Sequence, residues 1–257
     1  MTDVPLANLP QTDVPQTDVP QTDSGAPAIH TRHRETTRTA RYHYTGESPQ
    51  SARHVCFVLH GYGQLAARIL RHFEGIIPAG VCVVAPEALN KFYTSPLSKD
   101  GSHMQRVGAT WLTREDREHE ITDAVHWLGV VHDDVLGNRD QVNLPTVSVI
   151  GFSQGVATAI RWMMLGAVRP SHFVIWAGSL ATDMDQEAFG RTLQDVTTTV
   201  VCGTRDEFIT PERLAALSQQ LARASVEHDV LTFEGEHTLD RALLGQLLAT
   251  IAAAPMR

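Results

Sequence analysis

Six short apolar runs, at residues 55–59, 81–85, 146–150, 173–177, 199–202 and 230–233, are separated by stretches patterned as helices. A strand with one wet face alternates apolar and polar residues, whereas a strand covered on both faces reads as a continuous β-branched run. Val55-Cys56-Phe57-Val58-Leu59 is of the second kind, and Val147, Val149 and Ile150 supply β-branched residues to another buried strand. Their alternation with helical patterns predicts an α/β fold, a mostly parallel central sheet with helices on both faces. At 257 residues the chain has room for one such domain with a large core, plus a tail, and not for a second full domain.

The tail lies ahead of the first run. Gln-Thr-Asp-Val-Pro recurs at Gln11 and Gln16 and begins again at Gln21, with too little apolar surface to offset chain entropy. Residues 1 to about 30 are therefore expected to be disordered, and 31–257 to form the single domain. Arg32, Arg34, Arg38 and Arg41 make a basic run, read either as an anion site or as a polar edge strand around Arg38 to Tyr44. A helix is predicted to begin at Thr113, with Asp116 completing a capping box and Ile121, Val125 and Leu128 on one face. The long link 86–112 follows a strand and is expected to form a pocket rim or small flap.

Thr146 to Met164 combines a buried strand, the turn Gly151-Phe152-Ser153-Gln154-Gly155, and a helix with Val156, Ala157, Ile160, Met163 and Met164 at helical spacing. Gly-x-Ser-x-Gly alone arises by chance in roughly one chain of this length in ten, so the strand and helix around it carry the inference. A sharp turn there lifts a serine hydroxyl out of the sheet as a nucleophile. Serine needs a base to accept its proton and a third group to hold that base. In sheets of this kind the partners follow in the order acid, then histidine. Asp206 follows the strand ending in Val200-Val201-Cys202-Gly203, and Ile209-Thr210-Pro211 then opens a helix. Asp183 and Glu207 are rival acids. Beyond Asp206 stand only His228 and His237; His228 precedes its strand, whereas His237 follows it at the carboxyl end, where catalytic groups gather.

An oxyanion needs fixed donors. The Gln154 amide follows the nucleophile at a helix N-terminus. The Tyr62 amide lies in His60-Gly61-Tyr62-Gly63, just past the first buried strand. The Tyr62 side chain is a candidate pocket residue, and so is Trp111.

Leu59-His60-Gly61-Tyr62-Gly63, Gly151-Phe152-Ser153-Gln154-Gly155, Gly203-Thr204-Arg205-Asp206 and Glu234-Gly235-Glu236-His237 together resemble the phospholipase/carboxylesterase family of α/β-hydrolases, which includes acyl-protein thioesterases and bacterial carboxylesterases. The resemblance runs from about Arg53 to Leu248. It implies the α/β-hydrolase fold, Ser153, Asp206 and His237 as a triad, and the Tyr62 and Gln154 amides as oxyanion donors. Val156 stands where that family usually has a second glycine, and Gly108-Ala109-Thr110-Trp111-Leu112-Thr113 replaces a Pro-Ser-Trp-Phe-Asp-like segment. Acyl-protein specificity is not carried over.

A net charge of -8 argues against non-specific binding of nucleic acid or anionic membranes. Cys56, Cys82 and Cys202 fall within apolar runs, as buried thiols in a reducing cytoplasm do. No signal peptide is read at the polar, proline-rich start, nor any segment long and apolar enough for stable membrane insertion. His119-Glu120 lacks the second histidine of a zinc protease, since Asp123 holds that position. Neither a metal nor a cofactor is implied. The expectation is a serine hydrolase cleaving small carboxylic esters or thioesters through an acyl-enzyme. Alternatives are an acyl thioesterase or lysophospholipase-type activity, an acyltransferase or lyase using the same groups, and a non-catalytic ligand-binding protein.

Overall fold

Seven strands form one sheet in the order β1-β3-β2-β6-β7-β8-β9: β1 is Tyr42–Gly46, β2 His54–Leu59, β3 Val81–Pro86, β6 Thr146–Phe152, β7 His172–Trp176, β8 Thr197–Gly203 and β9 His228–Phe233. The computed structural model describes residues 29–95, 106–137, 144–181 and 183–254. Only β1 runs antiparallel to its neighbour; every other pairing in this sheet is parallel. Two further strands, β4 (Asn90–Tyr93) and β5 (Val107–Thr110), pair antiparallel as a separate ribbon.

The helices are α1 (Ala66–Ile69, continued by a 3-10 turn at Leu70–Phe73), α2 (Arg117–Leu136), α3 (Gln154–Leu165), α4 (Gln186–Leu193), α5 (Pro211–Arg223) and α6 (Arg241–Ala253). Successive strand residues point to opposite faces, and the core divides accordingly. Val55, Phe57 and Leu59 of β2 pack with Leu128, Ile160, Phe189 and Leu217, drawn from α2, α3, α4 and α5. Cys56 and Val58 of the same strand pack with Ile69 of α1 and Leu244, Leu248 and Ile251 of α6. Each large buried side chain contributes about 1.5–3 kcal/mol, so a strand wetted on either face would forfeit half of that packing.

Helix entry follows local chemistry. Asp185, Thr210 and Asp240 each accept a backbone N–H three residues on, capping α4, α5 and α6, and α5 opens on Pro211 as expected. The expected start of α2 at Thr113 is not observed. Asp116 has φ 49° and makes no side-chain cap, and the helix begins at Arg117. The Glu120 carboxylate takes the Thr113 N–H and the Asn90 side-chain amide, which holds Thr113 in the connection instead. The edge strand is shifted too: β1 starts at Tyr42, and residues 29–38 are exposed and without regular structure. Residues 1–28 of the expected tail lie outside the described residues, as do 96–105 of the 86–112 link; the remainder of that link carries the β4–β5 ribbon.

Cys56, Cys82 and Cys202 are all buried. Among the described residues no helix is long and apolar enough to cross a membrane.

Candidate active site

β6 ends at Phe152, and the next residue, Ser153, has φ 54° and ψ -119°. A non-glycine residue there carries about 1–3 kcal/mol of strain, so its neighbours must hold it. The Ser153 N–H donates to the Trp176 carbonyl at 2.9 Å, and its own carbonyl accepts from Val156 N–H at 3.0 Å. Two glycines make the turn sterically possible. A Cβ on Gly155 would collide with the Leu59 carbonyl oxygen, and one on Gly61 would lie 3.1 Å from both Ser153 Cβ and the Phe152 ring. Ser153 thus stands at the carboxyl end of the sheet with the first turn of α3 directly after it.

His237 and Asp206 are on the loops after β9 and β8, and the two loops are joined backbone to backbone by Thr204 N–H to Phe233 O and Arg205 N–H to Gly235 O, both 2.8 Å. Nδ1 of His237 lies 2.8 Å from Oδ2 of Asp206. A carboxylate only accepts, so Nδ1 carries the proton and Nε2 is left with its lone pair, the tautomer a general base requires. The other carboxylate oxygen accepts from the Phe208 and Ile209 amides at 2.8 and 2.9 Å. The His237 ring sits between Phe152 and Phe208, at centroid distances of 5.1 and 4.7 Å. Among the described residues, the hydrogen bonds of His237 include Asp206 and not Ser153.

The turn His60-Gly61-Tyr62-Gly63 is braced from behind. His60 is fully buried; its Nε2 accepts the Ala88 N–H at 3.1 Å, so Nδ1 bears the proton and donates to the Gly61 carbonyl at 2.9 Å. Burial pushes its pKa down and keeps it neutral. Trp111, the candidate pocket wall, is 1% exposed, and its indole donates to the His60 carbonyl at 2.8 Å; it supports the turn from inside. Of three successive amides, Gly61 N–H goes to Gln64 Oε1 and Gly63 N–H to the Ala109 carbonyl, which flank that of Tyr62. The Tyr62 ring is 63% exposed and rests against Phe92 of β4. The Gln154 side chain reaches the segment after β5: Trp111 N–H donates to its Oε1 at 3.2 Å, and its Nε2 donates to the Leu112 carbonyl at 3.0 Å. Nothing in the local pattern signals that clamp.

Val156 fits where the resembling family has glycine because Gly178 faces it; a Cβ on Gly178 would run into the Val156 side chain. The rival acids are elsewhere engaged or exposed. Asp183 pairs with Arg117 at 2.7 Å and with the buried Arg161 at 2.9 Å, and the Arg117 hydrogen bond above all holds its carboxyl at about 2. Glu207 points to solvent. A second serine–histidine pair, His54 Nε2 to Ser148 Oγ at 2.8 Å, is buried at the amino ends of β2 and β6. Ser148 is five residues before Ser153 along β6, or roughly 16 Å at the rise of an extended strand. Two surface clefts of about 490 and 650 Å³, beside Met164 and Arg191 and beside Thr198 and His228, are lined by none of Ser153, Asp206 and His237.

The fold is that of the α/β-hydrolases. A family profile described as Serine hydrolase (FSH1) matches residues 55–242, and the chain belongs to that family. Among solved structures it is similar to acyl-protein thioesterase 2 of Zea mays, at 14% identity over 84% of this chain and 100% of that one, with a TM-score of 0.58. A carboxylesterase from Mesorhizobium loti is 19% identical over 81% of this chain and 93% of its own, with a TM-score of 0.60. A phospholipase/carboxylesterase from Dyadobacter fermentans is 16% identical over 84% and 98%, with a TM-score of 0.56. No match to a curated protein is found. These neighbours are of the kind the motifs resemble.

Proposed function

We propose that the protein hydrolyses small carboxylic esters through an acyl-enzyme formed on Ser153. The observation that carries this reading is an Nδ1-protonated His237, held by Asp206 and packed on the ring of Phe152, the neighbour of a strained Ser153 at the head of α3. In the first half-reaction His237 Nε2 takes the Ser153 proton as Oγ attacks the acyl carbonyl, and the Tyr62 and Gln154 amides receive the developing oxyanion. His237 then returns the proton to the leaving alkoxide. Water repeats the sequence on the acyl-enzyme and releases the acid. The Ser153–His237 hydrogen bond this requires is one that forms in the substrate complex, where catalytic contacts shorten. Tyr62 and Phe208, exposed at the oxyanion turn and beside the base, offer apolar contact to substrate. Thioesters are open to the same chemistry, and the similar maize protein is a thioesterase by name.

The test is hydrolysis of p-nitrophenyl esters of increasing acyl length, with a parallel acyl-thioester series, by the wild type and Ser153→Ala. Turnover lost by about 10³-fold or more in a folded variant supports the reading. Wild-type turnover that survives Ser153→Ala refutes it, and no turnover by folded wild type on either series favours a ligand-binding role.

A further inference from the structure

We infer that Trp176 is a positioning residue that locks the nucleophile loop to the loop of the base; the inference rests on the Ser153, His237 and Asp206 assignment above. Trp176 is the last residue of β7 and fully buried. Its carbonyl accepts the N–H of Ser153 at 2.9 Å, and its indole Nε1–H donates to the carbonyl of Thr238, the residue after His237, also at 2.9 Å. Its ring lies 5.9 Å from that of Phe233, whose carbonyl accepts the Thr204 N–H in the turn that carries Asp206. One side chain and its own peptide therefore touch the loops after β6 and β9 and, through Phe233, the loop after β8.

The indole bond has a specific task. The His237 backbone sits in a tight turn in which Thr238 N–H donates to the Glu236 carbonyl at 2.8 Å. The Thr238 carbonyl is the acceptor through which this turn is tied to β7, in the strand beside the nucleophile's own. Loss of that tie lets the ring of His237 drift from Asp206 and from Ser153, and a misplacement of about 1 Å costs on the order of 100-fold in rate. A second tryptophan provides the comparison. Trp162 of α3 is equally buried, yet among the described residues its indole nitrogen has no hydrogen-bond partner. Replacing either by phenylalanine removes similar apolar volume; only at position 176 does it remove a bond.

The experiment compares wild type, Trp176→Phe, Trp162→Phe and Ser153→Ala on p-nitrophenyl butyrate at pH 8, with thermal unfolding of each. Trp176→Phe is expected to lower kcat by about 10- to 100-fold with KM within about twofold. Trp162→Phe should lower Tm and leave kcat in place. A Trp176→Phe enzyme with wild-type kcat overturns the inference, as does an equal fall in both variants. Turnover that persists in Ser153→Ala overturns instead the reading beneath it. Should Trp176→Phe not fold, the indole N–H signals of the wild type decide. With the signals of the other three of its four tryptophans assigned by Trp→Phe replacement, the Trp176 signal should exchange slowly and shift when a fluorophosphonate modifies Ser153. Fast exchange without a shift refutes the tie.

Discussion

Asp206 meets His237 with one carboxylate oxygen and its own loop with the other: Oδ2 faces Nδ1 at 2.8 Å while Oδ1 accepts the Phe208 and Ile209 amides. This division makes Asp206→Asn informative. The amide oxygen is drawn to the two backbone N–H groups, so the NH₂ is turned toward Nδ1. Nδ1 must then accept, the proton moves to Nε2, and the base is in the wrong tautomer. The expected result is a fall in kcat of about 10³ to 10⁴ with KM and Tm little changed, read by steady-state kinetics and calorimetry. A kcat within tenfold of wild type would show that another acid orients the base.

Asp183 supplies the matching control, since its partners are Arg117 and Arg161, not a histidine. Its side chain is 43% exposed, so solvent screens part of its attraction, but that of Arg161 is only 8% exposed and would lose its partner. Asp183→Asn is expected to cost about 1–2 kcal/mol, discounted for exposure, and to leave kcat/KM within about twofold. Denaturant unfolding and ester turnover measured on one preparation check both halves, and a large loss of kcat would restore Asp183 as a candidate acid.

The sheet was legible because both of its faces are covered. Phe57 packs toward α2–α5 and Val58 toward α1 and α6, so neither position tolerates a polar residue and the run shows without alignment. The elbow was legible because its backbone needs small residues at Gly151 and Gly155 in a fixed spacing. What escaped was decided by contacts far apart in sequence. Glu120 reaches Thr113 and Asn90, which moves the start of α2 to Arg117. β1 is an edge strand with exposed positions, so its pattern carries no buried period. Trp176 looks like any strand residue until Thr238, 62 positions later, folds back onto it.

His54 gives the chain a pH dependence of stability separable from catalysis. Burial, with His172 adding to it, pushes its pKa down to about 4 from 6.5. The unfolded chain thus takes up a proton near pH 6.5 that the folded chain refuses until about pH 4. Stability falls as pH drops through this window and is unaffected by this group above it. Its size is roughly 3 kcal/mol, or roughly 6–12 °C in Tm for a domain of this size. His54→Gln keeps a neutral partner for Ser148 and removes the proton site. Its Tm relative to wild type should rise between pH 7 and pH 4; a difference that stays constant across that range would exclude His54 as the source.

Gln154 offers a clamp that charge can open. Its Oε1 accepts Trp111 N–H while its Nε2 donates to the Leu112 carbonyl, so the side chain fixes the segment after β5 against the residue whose own amide is the proposed oxyanion donor. Glu at this position leaves a carboxylate opposite a carbonyl at pH 8, two acceptors without a proton between them, at about 1–3 kcal/mol. Protonation restores the donor. The folded-state pKa of the new glutamate is therefore raised, and the stability it forfeits is largest above that value and returns as pH falls toward the unfolded value near 4.3. Gln154→Glu is expected to show its greatest Tm deficit at pH 8 and its smallest near pH 5. At pH 8 kcat should fall at least about tenfold, because a negative charge beside the Gln154 amide opposes the oxyanion. Thermal unfolding of both proteins at matched pH, with turnover at pH 8, tests the clamp; a deficit that grows toward acid would reverse the sign and refute it.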